Sequence, residues 1–433
     1  MIKKTIRKIL PESVYNLLRS INYSYRIKRA QLNHKVALKQ VGKKEKIKVA
    51  FFIYYEAEWK FEGLYRLMEN DNRFEPVIVI VPWISYGKET MLLEMRRTYK
   101  YFKNKEYNVV LSLNEKTGEW LNVKKEIQPD IVFLINPWGS SRPEYQIDNY
   151  NKILTCYVSY TFVISYLYQG YFNKPVHNLV WKFFLETQIH KQISKQYARN
   201  KGINTLVSGY PGMDKLLQKD YRPVDVWKIK DKNIKRIIWS PHHTISGMGG
   251  TLDYSTFLKY YDFMLDFAAK YQHQIQISFK PHPSLRPKLN MEEYWGKEKT
   301  DKYFQKWEQL PNGQLNDGEY IDLFATSDGM INDSSAFVME YQFTNKPELF
   351  LANDDSILDR FNEVGKMTLS KLYIGKCQDD IERFLKNVII GGKDSMKNER
   401  INFFNSVIKP PNNVTASENI YNCLKSEIFG KEN

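Results

Sequence analysis

From Lys46 onward, apolar positions gather into short β-branched runs separated by helix-length polar stretches. Ile47–Ile53 (IKVAFFI), Pro76–Val81, Asn108–Leu111 and Asp130–Ile135 read as strands, and Trp59–Met68, Glu89–Lys103 and Glu119–Ile127 as helices between them. Strands that are apolar throughout, alternating with helices, predict βαβ units around a parallel sheet covered on both faces. After Thr205–Ser208, a Gly-Tyr-Pro-Gly turn and the charged stretch Lys228–Arg236, the pattern restarts. Ile237–Trp239, Gln274–Phe279, Gly329–Ile331 and Leu349–Leu351 are its strands, with helices over Ser255–Tyr271, Glu319–Thr326 and Ala336–Phe343. Two further helices, near Lys376–Val388 and Ser417–Phe429, close the chain. The fold class expected is α/β, with two Rossmann-like parallel-sheet domains facing a cleft and a basic helical N-terminal extension. The expected limits are 1–45 for the extension, 46–204 and 205–395 for the two sheet domains, and 396–433 for helices packing back on the body.

The extension opens with Lys3, Lys4, Arg7 and Lys8 among Ile2, Ile6, Ile9 and Leu10. Pro11-Glu12-Ser13 interrupts it before Val14, Tyr15, Leu17 and Leu18 resume helical spacing. It lacks the apolar core and small-residue cleavage site of a signal peptide. A peripheral anchor on an anionic membrane surface and a helix docked on the body both fit it. Ile153–Asn173 carries no formal charge and is long enough to span a bilayer. Thr155, Ser159, Thr161, Ser165 and Gln169 place polar groups along it, and its tyrosines would lie at every depth, whereas tyrosine prefers the interfaces. A buried strand followed by an aromatic segment is expected, and no transmembrane helix.

Charge refines this picture. Met1–Lys48 holds 14 Lys and Arg against two acids, Glu12 and Glu45, leaving 50 basic and 47 acidic residues in the rest of the 433-residue chain. The pI near 9.3 therefore describes a tail and not a basic body, which argues against a nucleic-acid groove. Cys156, Cys377 and Cys423 are far apart with no CxxC spacing, so no zinc ribbon or disulfide framework is expected and a cytoplasmic setting fits.

Four strands of the second half each end in a polar cluster: Pro241-His242-His243-Thr244, Pro281-His282-Pro283-Ser284, Asn332-Asp333-Ser334-Ser335 and Asn353-Asp354-Asp355. In an open parallel sheet the carboxyl ends lie along one edge, where ligands bind. Three of the seven histidines fall in two of these loops, so clustering in space is expected. Asp333 or Ser334 reads as the N-cap of the helix AFVMEYQF, and the same helix start offers backbone N–H groups and hydroxyls to phosphate. Pro281-His282-Pro283 reads either as a rigid turn whose imidazole packs on the sheet or as a histidine whose direction the two prolines fix for a ligand contact. Adjacent residues on an extended chain point oppositely, which argues against one ion shared by His242 and His243. Asp354-Asp355 reads as a solvated turn. No GxGxxG or GxxxxGK[ST] loop is present.

These loops, in this order, resemble the CDP-glycerol glycerophosphotransferase family of teichoic-acid and capsule polymerases. Gly209-Tyr210-Pro211-Gly212-Met213-Asp214, Trp239–Thr244, Phe279–Pro283, Asp328–Ser335 and Asn345-Lys346-Pro347 carry the likeness over roughly 200–365. The resemblance implies a glycosyltransferase-B architecture, with an acceptor domain followed by a nucleotide-donor domain. It implies transfer of glycerol phosphate from CDP-glycerol, or a related CDP-alditol, to a glycan or lipid-linked polymer acceptor with release of CMP. It implies no metal or cofactor, and a cytoplasmic enzyme peripheral to the inner face of the plasma membrane. Carried over, His282 and His242 are catalytic, and His243, Thr244, Lys280, Arg286, Asn332, Asp333, Ser334 and Ser335 hold the donor diphosphate and nucleotide. A nucleotide-sugar glycosyltransferase of the same shape and a non-catalytic nucleotide-binding scaffold are the alternatives. The family carries a His-Gly pair in its N-terminal half, read as the base for the acceptor hydroxyl. Here that region is CYVSYTF, and His177 and His190 lack a following glycine, so the base is unassigned.

Overall fold

The computed structural model describes residues 11–245 and 252–430. The cationic run Lys3–Lys8 and the apolar Ile2, Ile6, Ile9 and Leu10 lie outside the described residues. The described chain forms two compact units. Residues to Thr161, Leu167–Gly212 and the chain from Pro410 form the first; Phe162–Tyr166 and Met213–Lys409 form the second.

The first unit opens with helix α1 (Glu12–Val41). Seven parallel strands follow: β1 (Ile47–Ile53), β2 (Phe74–Ile80), β3 (Val109–Leu111), β4 (Ile131–Leu134), β5 (Leu154–Val158), β6 (Lys182–Leu185) and β7 (Thr205–Val207). Their order across the sheet is β3-β2-β1-β4-β5-β6-β7. Phe51, Phe133 and Phe184 stack across β1, β4 and β6 inside the core, which is why these strands are apolar on both faces. The helix over Lys88–Asn104 buries Met91, Met95, Thr98 and Phe102, a stripe at three- and four-residue spacing. The last helix, Ala416–Phe429, adds Ile420, Leu424 and Ile428 to the same core. Gly209 has φ +91°, and a Cβ there would come within 2.7 Å of the Pro410 ring, so the turn after β7 admits glycine alone.

In the second unit six parallel strands repeat the plan: β8 (Lys235–Ser240), β9 (Ile275–Phe279), β10 (Gly313–Leu315), β11 (Gly329–Asn332), β12 (Glu348–Leu351) and β13 (Tyr373–Gly375). Their order is β10-β9-β8-β11-β12-β13, so in both sheets the first and fourth strands lie side by side and the winding reverses between them. Trp239, Phe279 and Trp307 pack together in this core.

Several expected elements take another form. Glu119–Ile127 is not one helix. Its first two residues pair with Leu113-Asn114 as a hairpin, and only Val123–Glu126 is helical. Near Lys376–Val388 the chain forms one short helix, Gln378–Arg383, and then a wider π turn, Phe384–Ile390. The uncharged stretch from Ile153 is strand β5 followed by irregular chain and the short helix Tyr168–Phe172. No described helix is long and apolar enough to cross a membrane.

Candidate functional site

At the winding reversal of the second sheet, β8 ends in Pro241-His242-His243-Thr244 and β11 in Asn332-Asp333-Ser334-Ser335. The loop after β9 brings in His282. Ring centroids lie 4.4 Å apart for His242 and His243, 4.2 Å for His243 and His282, and 5.1 Å for His242 and His282. One nitrogen from each of the three falls within 4.8 Å of the others. The two adjacent imidazoles thus do not diverge as an extended chain would require. The strand stops at Ser240 and the backbone bends at His243, which turns both rings to the same side.

Hydrogen bonds decide what such a cluster can hold. His242 Nδ1 accepts from the Thr244 amide at 3.3 Å and lies 2.8 Å from the Thr244 hydroxyl. His282 Nδ1 accepts from the Ser284 amide at 3.1 Å. A backbone N–H can only donate, so in the neutral rings the proton sits on Nε2. Neither Nε2 has a partner among the described residues. A metal-binding imidazole needs the reverse, a free nitrogen lone pair with the other N–H donated to an acceptor. These tautomers present N–H donors, which suit a phosphate oxygen rather than a cation.

Burial keeps the rings neutral. His242 and His282 are held well below the usual imidazole range, first by desolvation and then by neighbouring positive charge. Desolvation and the Lys288 ammonium bring His243 down to about 4. Lys288, which motif reading did not single out, donates to the His243 carbonyl at 3.1 Å. It lies in the helical turn Leu285–Leu289 directly after the Pro-His-Pro loop, so proximity in sequence was the available signal.

The other expected residues divide by what they touch. Asp333 is buried, and its carboxylate accepts from the His242 amide, the Thr256 amide and, at 2.7 Å, the Thr256 hydroxyl. Its oxygens tie three segments together, and its negative charge would repel phosphate. Burial raises its pKa to about 6. Asn332 accepts from the Ser334 amide at 3.0 Å and donates to buried Glu348 at 2.5 Å, which aims the loop. Ser334 is the N-cap of Ser335–Glu340 without a side-chain capping bond, so the hydroxyls of Ser334 and Ser335 stay available beside the helix start. Lys280 donates to the Gly318 carbonyl at 2.8 Å and lies over Tyr320. Arg286 is ion-paired with Asp301 at 2.8 Å and covers Phe304, so it serves its own helix pair rather than the histidines. Asp354 and Asp355 are paired with Arg360 and Lys376.

The first unit's histidines, His34, His177 and His190, are all buried. His177 is buried with Nδ1 accepting from the Lys174 amide, and burial lowers it to about 3. His190 is buried against the Thr187 hydroxyl.

Comparison with known proteins adds the following. The profile of the CDP-glycerol:poly(glycerophosphate) glycerophosphotransferase family matches residues 179–426. No curated protein matches the chain by sequence. Among solved structures, a variant of the wall teichoic acid polymerase TagF is 13% identical, aligning over 95% of this chain and 96% of that one with TM-score 0.56. A putative UDP-N-acetylglucosamine 2-epimerase from Listeria monocytogenes is 15% identical, aligning over 90% and 98% with TM-score 0.58. At these identities the likeness concerns the fold, a glycosyltransferase-B arrangement of two Rossmann-like sheets.

Proposed function

The chain belongs to the CDP-glycerol:poly(glycerophosphate) glycerophosphotransferase family, and on that premise we propose that it transfers glycerol phosphate from CDP-glycerol to a hydroxyl of a cell-surface glycan or teichoic-acid-like acceptor, releasing CMP. The observation that carries this reading is the tautomeric state of His242 and His282, whose Nε2–H groups are left to meet an anion. Phosphoryl transfer asks a protein mainly for positioning and for neutralisation of charge on the transferring group. In this reading His282 and His242 donate to the donor diphosphate, with the Lys288 ammonium supplying further positive potential. The Ser334 and Ser335 hydroxyls and the helix start behind them hold the nucleotide phosphate. Asp333 and Asn332 position these loops and do not touch the donor. The test is release of CMP from CDP-glycerol, compared with CDP-ribitol and with UDP- and GDP-sugars. Turnover confined to cytidine donors is expected. Preference for a UDP- or GDP-sugar would make the protein a sugar transferase, and nucleotide binding without turnover would make it a scaffold.

We also propose that it works at the inner face of the plasma membrane, held there by α1. One face of this helix is buried through Ile27, Ala30, His34, Ala37 and Val41. Along another side Leu17, Leu18, Ile21, Tyr25, Leu32 and Val36 are exposed, between Arg19, Lys28, Arg29 and Lys35. That combination suits an interface with anionic lipid, each nearby cation adding about 1 kcal/mol. Flotation with anionic but not neutral vesicles is expected, and its loss in a Leu18→Glu/Ile21→Glu variant. Equal behaviour on both vesicles would refute the anchor.

A further inference from the structure

The first unit holds a cavity of about 570 Å³ that no motif announced. Its walls are the loop after β2 with the start of the helix Lys88–Asn104, the hairpin of Leu113-Asn114 with Glu119-Trp120 after β3, and Arg142 in the loop after β4. All of these belong to the first unit and lie beyond the carboxyl ends of parallel strands, the edge at which open α/β sheets take ligands. The hairpin is held from two sides. Arg96 Nε of the helix donates to Glu115 Oε1 at 2.8 Å, and the Arg142 guanidinium lies over Trp120, 4.5 Å from the ring centre. The ion pair of Arg142 with Glu144 uses Nε, at 2.5 Å, and its Nη1 and Nη2 have no partner among the described residues. Lys88 has no ion pair among the described residues either. It is the first residue of its helix, after Gly87, and no side chain caps that end. A helix dipole favours negative charge at its start, so Lys88 works against its own helix unless an anion sits beside it. Lining the cavity, Lys88, Arg96 and Arg142 stand against Glu115, which Arg96 already neutralises. The net potential is positive, next to an apolar wall of Met91, Leu92 and Leu113.

We infer that this cavity binds a phosphodiester segment of a polyol phosphate chain. That the chain is the acceptor rests on the glycerophosphotransferase reading. The Lys88 ammonium and the Nη1 and Nη2 groups of Arg142 take the phosphate, the guanidinium offering two N–H groups side by side to two phosphate oxygens. Trp120 holds that guanidinium in place before the ligand arrives. The short carbon units between phosphates lie along Met91, Leu92 and Leu113. A chain that alternates charge with short carbon units suits a wall that alternates cations with apolar side chains. A nucleotide suits it less. Trp120 is the aromatic side chain that lines the cavity among the described residues, and Arg142 already covers its ring. The volume lies within the range of small-ligand sites and admits a short stretch of chain.

The test is calorimetric titration of the full chain with a synthetic glycerol phosphate trimer and with uncharged triglycerol. The trimer is expected to bind and triglycerol to bind far more weakly. Lys88→Ala and Arg142→Gln should each weaken the trimer roughly tenfold, the loss of one contact to a charged group. CDP-glycerol should bind both variants as it binds wild type, and His282→Ala should keep the trimer affinity. Lys88→Ala should melt no lower than wild type, because it removes a cation from a helix start. A loss of binding in that variant cannot then come from a damaged fold, and it carries the test if Arg142→Gln proves unstable. Failure of wild type to bind the trimer, equal affinity for triglycerol, or trimer affinity indifferent to both substitutions would overturn the site. Trimer binding that depends on Lys88 and Arg142, in a protein that neither binds CDP-glycerol nor releases CMP, would uphold the site and overturn the donor reading instead.

Discussion

The first six strands of each sheet follow one order and reverse their winding at the same place, yet the two sheets place opposite chemistry there. In the first, the loop after β1 is bonded to the loop after β4 through Glu58 and Asn136. In the second, the loop after β8 is bonded to the loop after β11 through the His242 amide and Asp333. Both points are desolvated, and desolvation acts against charge at each. It raises Glu58 to about 7 and drives His242 and His282 down. The first edge therefore offers a proton acceptor and the second a set of N–H donors. The fold supplies the place, and residue type decides what chemistry that place can offer.

The sharpest way to break this contrast is His282→Ala. Loss of one well-placed donor to a transferring phosphoryl group typically lowers the rate about 100- to 1000-fold, and that loss is expected in CMP release. Near-normal turnover would remove His282 from the chemistry. A second contrast concerns the two buried acids. Asp333 satisfies three donors, so Asp333→Asn should destabilise the fold by about 1–3 kcal/mol in urea unfolding. Glu58→Gln removes a buried charge with one open oxygen, so its stability should lie within about 0.5 kcal/mol of wild type or above it. Equal losses at both positions would erase the distinction between a fully bonded and a partly bonded carboxyl.

Acid should separate the edges more gently. The imidazoles have depressed folded pKa values, so their contribution is present above the unfolded value near 6.5 and fades as pH falls through it. Protonation at Nδ1 would also expel the Ser284 and Thr244 amides. Glu58 is raised from 4.5 to about 7, so it adds stability as pH falls through that window. Asp333, raised to about 6, offsets part of the histidine loss. Between pH 7.5 and 5.5, hydrogen exchange at Ser284 and Thr244, corrected for intrinsic rate, should quicken while the Trp138 amide beside Asn136 holds or slows. The reverse order would contradict the assigned tautomers.

What could be read from sequence follows from how local each feature is. β1, Ile47–Ile53, is an unbroken apolar run, and its limits coincide with those read from the pattern. The donor-side loops were legible because each is contiguous and follows its strand directly. The meeting of His242 with His243 was not, since it depends on a backbone bend after Ser240 that residue spacing does not encode. Glu58 was invisible for a related reason. It is one glutamate among many, several residues beyond its strand, and its partner Asn136 is 78 positions away. Strands β10 (GQL) and β13 (YIG) escaped notice because each is a three-residue run broken by glycine, whereas the equally short β3 (VVL) is apolar throughout.

The most direct test of the central claim is calorimetric titration of the full chain and of His282→Ala with CDP-glycerol, using UDP-N-acetylglucosamine as the comparison ligand. The account predicts binding of CDP-glycerol in preference to the uridine compound, with little proton uptake from the buffer because the neutral rings already donate through Nε2–H, and with affinity reduced in His282→Ala. Tighter binding of UDP-N-acetylglucosamine, or binding of CDP-glycerol that is indifferent to His282, would contradict it.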